Sequence, residues 1–284
     1  MKGFILINAY TQSESELYQP RRLREELQKL NVTVDLVRNV CADSRADYDF
    51  CVYLDKDKYG ARLLEGQGLR LFNRAAAIET CDDKMLTCLA LQGFPVPETF
   101  SAPLCYTPEE EVSERLLARA EERLGYPLVV KECYGSLGKG VYFIENRAQL
   151  QEICKKLQCK PHLFQKFIHT SYGTDVRVIV IGGKARCAMK RTGQGFLSNV
   201  AAGGSGEPFP LDRQTAALCE GVARRLGLDY CGIDLLFGES GFLICEVNSN
   251  AFFAAAERVT GVNVAKIYAE HIVEQIYGKE KSPL

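Results

Sequence analysis

The sequence predicts a mixed fold, α/β then α+β: a small parallel α/β domain followed by a larger α+β unit that is mostly antiparallel. Three observations carry this. The chain has 284 residues, about twice the length of a usual single domain. Strand and helix patterns alternate over roughly the first eighty residues, as parallel strands joined by crossover helices require. Two glycine-turned hairpins then lie in the second half.

The elements follow in order. FILINA (4–9) reads as a buried strand. PRRLREELQKL (20–30) reads as a helix with Pro20 in its first turn and Leu23, Leu27 and Leu30 at helical spacing. VTVDLV (32–37) alternates apolar and polar residues, and FCVYL (50–54) and LRLF (69–72) supply two more strands. Asp82 caps a helix to about Gln92, which Gly93 ends. GFPVPETF (93–100), with two Pro, is an extended connector. Thr107 caps a long helix to Leu124, with Pro108 at its first position and Gly125 closing it. Strand 127–132, a glycine loop (133–140), strand 141–145, helix 147–157 and strand 162–168 come next. Residues 175–191 form a hairpin turning at Gly182-Gly183. Helix 211–226, capped near Asp212, leads to a second hairpin (229–248) and a helical tail over 253–277.

Composition excludes several classes of function. Lys plus Arg is 35 and Asp plus Glu is 36, a net charge of -1, so no bulk charge holds the chain to nucleic acid. No apolar run reaches the roughly 18 residues of a membrane span. MKGFILINAY opens on a strand rather than a secretory signal. Twelve Cys without a C-x-x-C pair, beside only three His, give neither a disulfide framework nor a zinc cluster. Cys51, Cys231 and Cys245 sit in apolar strands, and the expectation is small buried hydrophobes in a reducing cytoplasm.

Residues 131–140 run Lys-Glu-Cys-Tyr-Gly-Ser-Leu-Gly-Lys-Gly. Gly135, Gly138 and Gly140, around Ser136 and between two strands, let backbone N–H groups turn inward on an anion. Val141 stands where a Walker A loop needs Lys, and Phe143 stands where a dinucleotide turn needs its third Gly. What remains is a strand–loop–strand flap of the kind that lies over phosphates, or a plain glycine-rich hairpin. Lys131 on the preceding strand places a cation against such phosphates.

CGIDLLFGESGFLICEVNSN (231–250) is the strongest site. A three-residue turn Glu239-Ser240-Gly241 pairs Gly238 with Phe242, and therefore Asp234 with Glu246. Asn248 then shares their face, while Ile233, Leu235, Cys245 and Val247 face the core. Like charges opposite each other are unfavourable in a sheet unless a cation lies between them. Two carboxylates and an amide oxygen are hard ligands suited to Mg²⁺. Arg177 and Arg191 are expected to face the same cleft and hold developing negative charge, although an Arg177–Asp175 ion pair is the plainer reading. Asn199, in the glycine-rich stretch 192–206, could reach the metal or the transferring phosphate.

Taken together, these segments resemble one family. Asp83-Lys84 before a helix, PVPETF, PLVVKECYGSLGKGV, FQKFI, DVRVIVIGG, MKR, SNVAAGG and CGIDLLF…CEVNSN are similar, in order and wording, to ATP-grasp ligases of the RimK-like group. The likeness covers about residues 80–275 and implies an ATP-grasp fold, two α+β lobes clamping ATP. It divides the chain into an N-terminal domain (1–82), a small lobe with the flap (83–168) and a C-terminal lobe with the acidic hairpin (169–284). It implies that Lys131 and Lys84 contact the phosphates and that the 135–140 loop closes over them. It places Gln165, Lys166, Phe167 and Ile168 at adenine through backbone groups, with Asp175 near ribose or substrate. It gives Asp234, Glu246 and Asn248 two Mg²⁺ (or Mn²⁺), and gives Arg177, Arg191 and Asn199 the phosphoryl group and the acyl intermediate. The implied reaction joins a carboxylate to an amine through an acylphosphate, with release of ADP and phosphate.

The substrates implied are a small molecule or peptide with a carboxylate and an amine acceptor, with glutamate as an analogy from the group. The assembly implied is a homo-oligomer. Two alternatives stand beside this: a nucleotide-binding protein without turnover, and a kinase on the same fold. The chain departs from the group at Gln165, where Glu is common, and at Ser249-Asn250-Ala251-Phe252-Phe253 after the acidic hairpin.

Overall fold

The structure is a computed structural model and describes residues 2–11, 13–41, 47–136, 138–196 and 204–278. The N-terminal part alternates β1 (Lys2–Ile7), α1 (Glu14–Lys29), β2 (Thr33–Arg38), β3 (Phe50–Leu54), α2 (Lys58–Gly66), β4 (Arg70–Phe72) and α3 (Ala75–Asp82). Its four strands are parallel in the order β2-β1-β3-β4. Alternation within β1 sends Ile5 and Ile7 to one face, against Leu23 and Leu27 of α1. Phe4 and Leu6 go to the other, against Ala61 and Leu64 of α2.

Helix α1 begins earlier than expected. Ser13 caps it and Glu16 closes a capping box, so Pro20 falls inside the helix instead of in its first turn. The two satisfied end groups outweigh the one hydrogen bond that Pro20 forgoes. Helices α2 and α3 have no counterpart in the expectation.

The small lobe is α4 (Lys84–Ala90), β5 (Thr99–Ser101), α5 (Glu114–Leu124), β6 (Leu128–Glu132), β7 (Val141–Ile144), α6 (Arg147–Leu157) and β8 (His162–Lys166). Asp83, not Asp82, caps α4, and Ser113, not Thr107, caps α5. The antiparallel sheet runs β5-β8-β6-β7. Leu128 and Val130 of β6 pack on α5 and α6. Lys131 therefore points to the opposite face.

The C-terminal lobe holds β9 (Thr174–Ile181), β10 (Lys184–Thr192), β11 (Ser205–Pro208), α7 (Arg213–Leu226), β12 (Tyr230–Gly238), β13 (Gly241–Asn248), α8 (Ala254–Thr260) and α9 (Val264–Tyr277). The expected single tail helix is broken at Gly261, which caps α8 in the left-handed conformation. The antiparallel sheet runs β11-β10-β9-β12-β13. Gly182 and Gly183 have φ of 60° and 68°, as the tight β9–β10 turn demands. Val176, Val178, Ile233, Leu235 and Val247 pack against α7. On the other face, Ile179, Ile181 and Tyr230 share one core with Ile5, Leu23 and Phe50 of the N-terminal domain.

Asn73 joins those two parts. It is buried, its amide donates to the carbonyls of Tyr230 and Ser249, and its oxygen accepts from the N–H groups of Asp229 and Tyr230. Arg70 adds a fork to Asp229 at 2.8 Å on each oxygen. Replacing Asn73 by Ala strands four backbone groups, so Asn73→Ala is expected to cost about 3 kcal/mol or more. The guanidinium unfolding midpoint measures this, and an unchanged midpoint would contradict it.

Candidate active site

Two sheets face each other across a cleft of about 550 Å³. The small lobe contributes Lys131 from β6, Lys84 from the start of α4, and Gly135, Ser136 and Gly138 of the flap. The C-terminal lobe contributes Asp175, Arg177, Arg191, Asp234, Glu246 and Asn248. The sequence-predicted phosphate, metal and arginine residues thus converge on one cavity. Gly140 is turned away from it, against Glu132. Asn199 lies outside the described residues.

Register explains the acidic pair, though by a different route from the expected one. The turn is two residues, Glu239-Ser240, and pairs Gly238 with Gly241. That alone would put Asp234 opposite Cys245. A bulge between Asp234 and Leu235 absorbs one residue and restores Asp234↔Glu246. In consequence Cys245 faces the cleft beside Glu246 and not the core, while Val247 remains in the core as expected and Ile244 takes the core place that alternation assigns to Cys245.

The arginines bind differently from the plainer expectation. Arg177 pairs with Asp234, its register partner on β12, through Nε–Oδ1 and Nη2–Oδ2 bonds of 2.7 Å each. Arg191 pairs with Asp175, its register partner on β9, at 2.7 and 2.5 Å, and also reaches Asp234 Oδ2 at 2.9 Å. Both oxygens of Asp175 are thus engaged by Arg191, which points to a positioning task more than to ribose contact. Burial alone pushes the Asp234 carboxyl up. The Arg177 and Arg191 guanidiniums outweigh it and hold the group below the usual carboxylate range.

Across the cleft Lys131 is fully enclosed, with Nζ 3.6 Å from Cys245 Sγ. Burial pulls its pKa down, Cys245 and Glu246 pull it up, and the balance lies above the ordinary lysine value. Lys84 donates to the Gly135 carbonyl at 3.1 Å, tying α4 to the flap. Burial, helped by Lys131 and opposed by Glu246, lowers its pKa.

Among the described residues, no group of three or more His, Cys, Asp or Glu gathers to hold a metal. The candidate set is two carboxylates and an amide. Glu246 and Asn248 line the cleft with no hydrogen bond or ion pair to the protein among the described residues, so their oxygens are open to a ligand. Asp234 is the member already committed, to two guanidiniums. The chemistry fits Mg²⁺ provided Asp234 changes partner.

The residues expected at adenine are placed apart. The Gln165 side chain is buried and donates to Thr99 Oγ1 at 2.9 Å. Lys166, Phe167 and Ile168 line a separate hinge cavity of about 880 Å³. Phe167 also joins a ring cluster with Phe143, Tyr172 and Phe196, at centroid distances of 4.9 to 6.5 Å. Sequence reasoning passed over those rings.

It also passed over the N-terminal wall of the cleft: Asn8 and Asp55, with Asn250 and Phe252 opposite. The signal was available, because Asn8 and Asp55 follow the adjacent parallel strands β1 and β3, and ligands bind outside the carboxyl ends of such strands. Among the described residues no helix is long and apolar enough to cross a membrane.

The comparisons with known proteins follow this geometry. The family model described as RimK-like ATP-grasp domain matches residues 82–272. Human N-acetylaspartylglutamate synthase A is 37% identical over 81% of this chain, which spans 59% of that protein's length. A probable alpha-L-glutamate ligase of Thioalkalivibrio sulfidiphilus is 34% identical over 73% of this chain and 69% of its own. Among solved structures, a RimK domain ATP-grasp protein of Sphaerobacter thermophilus superposes with a TM-score of 0.71 at 24% identity, over 95% of this chain and 99% of that one.

Burial pushes the Cys245 thiol up, with Lys131 opposing, so little thiolate exists near neutral pH. Cys245 should alkylate at least about tenfold more slowly than the exposed Cys41 and Cys159. Peptide mass spectrometry over an iodoacetamide time course reads this, and equal rates would refute it.

Proposed function

The chain belongs to the RimK-like ATP-grasp family, and from that membership we propose an ATP-dependent carboxylate–amine ligase that releases ADP and phosphate. The observation that carries the reading is the cleft itself: Lys131 and Lys84 on one sheet face Glu246 and Asn248 on the other, with Arg177 and Arg191 beside them. That array matches a nucleotide triphosphate and a reacting carboxylate.

In this reading Lys131 and Lys84 neutralise the phosphates, and the flap residues Gly135, Ser136 and Gly138 close over them. The linker Gln165–Ile168 and the ring cluster around Phe167 border the base. Asp234, Glu246 and Asn248 would hold Mg²⁺ or Mn²⁺, which supplies charge neutralisation and Lewis acidity at the phosphates. Asp175 fixes the Arg191 fork. Arg191 and Arg177 then face the group where negative charge develops.

The substrate carboxylate oxygen attacks the γ-phosphorus and the bond to the β-phosphate oxygen breaks, giving an acylphosphate and ADP. The amine then attacks the acyl carbon, phosphate leaves and an amide remains. An acylphosphate hydrolyses readily, which is why closure of the flap against water belongs to the mechanism. Glutamate is the proposed amine, because it appears in the names of the relatives. The site of action proposed is the cytoplasm.

ADP release measured over an amino-acid panel, with product mass spectrometry, tests the reading. Amine-dependent ADP release and a product lighter by one water than its two parents are expected. ADP release with a stable phosphoester would favour a kinase, and nucleotide binding without turnover would favour a binding protein. Glu246→Ala should cut Mg·ATP turnover by at least about a hundredfold while circular dichroism stays unchanged. Retained turnover would sink the assignment.

A further inference from the structure

We infer that Arg177 is the resident counter-cation of the Asp234–Glu246 pair, and that a divalent cation entering the cleft displaces it from Asp234. The inference rests on the ligase reading and adds to it a tethered competitor for the metal.

Three observations lead there. First, the cross-strand row runs Arg177–Asp234–Glu246, each the register partner of the next. The positive charge that two facing carboxylates require is supplied by the chain itself, from one strand over. Second, the pairing is complete. Arg177 fills both oxygens of Asp234 at 2.7 Å, and side chains of both residues are mostly enclosed, 16% and 7% exposed. The fork takes one lone pair on each oxygen and Arg191 takes a second on Oδ2, so a cation that draws on both oxygens of Asp234 must displace the fork. Third, the two arginines differ in what holds them. Arg191 has its own fork to Asp175 and keeps it whatever Asp234 does. Among the described residues Arg177 has no acceptor other than Asp234.

Exchange of partners adds two positive charges to the cleft. A divalent cation takes over Asp234 together with the open oxygens of Glu246 and Asn248. The released guanidinium of Arg177 then needs an anion inside the same cleft. A phosphoryl group or a substrate carboxylate supplies one. The cation and that anion are therefore linked through one side chain: the first makes the donor that the second uses. Because Arg177 is tethered, it competes at a high effective concentration, and binding of a bare divalent cation is weakened accordingly.

The test uses Mn²⁺ as probe and the electron paramagnetic resonance of free Mn²⁺ as readout, on the full chain without substrate. Arg177→Met removes the competitor and should bind Mn²⁺ about tenfold more tightly than wild type or better, the equivalent of about 1.4 kcal/mol. Equal or weaker binding overturns the inference. If Arg177→Met does not fold, Arg177→Lys carries the test. It keeps a charge but loses the fork, and should still bind Mn²⁺ more tightly than wild type. Identical binding by that variant overturns the inference too.

A separate arm protects the distinction from the ligase reading. Wild type should bind Mn²⁺ in the presence of ADP, and Glu246→Ala should not. Failure of this arm removes the metal site itself. Success here with no gain in Arg177→Met removes only the competitor role.

Discussion

Asp234 is buried between two guanidiniums, and taking charges out of water costs several kcal/mol per ion unless each lone pair is met. Here each is met. Asp175, Arg191, Asp234 and Arg177 form a continuous chain of forks on one face of the C-terminal sheet. Well-packed apolar residues of similar volume would hold that face at least as well. A charged chain at the mouth of a cleft is therefore better explained by what enters the cleft than by stability. Its geometry also constrains the sheet. A slip of one residue in β9, β10 or β12 would send these side chains to the α7 face, where Val176, Val178 and Ile233 now sit. The Gly182-Gly183 turn sets the β9–β10 register as far as Ala185, and a bulge between Ala185 and Cys187 shifts it by one residue to bring Arg191 opposite Asp175.

The N-terminal domain owes its place to the same face. Beyond Arg177 along β9, that face continues as Ile179 and Ile181, and these pack directly on the parallel sheet and α1. One strand thus carries the chemistry at one end and the inter-domain core at the other. The Asn73 amide and the Arg70–Asp229 ion pair extend the attachment to the chain just before β12 and just after β13. The loop after Asn248 is held from both sides: Asn73 takes the Ser249 carbonyl and Tyr230 takes the Ala251 carbonyl at 2.6 Å. The Asn250 side chain between them is thereby presented to the cleft by a fixed backbone.

How far this was legible in sequence depended on the range of the interaction. Period-2 alternation located β2 and Gly125 located the end of α5, because those signals are local. The capping box of α1 was equally local, Ser13 and Glu16, but Pro20 offered a more conspicuous start and misled. Helices α2 and α3 are short, so few residues carry their pattern. The Asp234–Glu246 pairing was inferred from an incorrect turn length, and the bulge that rescues it leaves no mark in a single sequence. The Arg177–Asp234 fork joins residues 57 positions apart, and only the β9–β12 pairing makes them neighbours. The same holds for the N-terminal wall of the cleft: Asn8 lies 47 residues from Asp55, to which its amide donates.

The bulge at Cys245 meets two requirements at once. It turns two consecutive residues toward the cleft, so that Glu246 reaches its position opposite Asp234 and a second side chain comes to face Lys131. What stands at that second position matters. A carboxylate there would lock Lys131 into a buried ion pair and spend its donors on the protein. A sulfur is a weak acceptor, and burial keeps the Cys245 thiol protonated. Lys131 is then held in place without being neutralised, and its ammonium stays available to an incoming anion. The neighbouring Glu246 supplies long-range compensation for the buried positive charge without a direct bond to it, and so keeps its own oxygens open for a hard cation. Cysteine at 245 is in this sense the residue that lets one strand serve the buried cation Lys131 on one side and the open carboxylate Glu246 on the other.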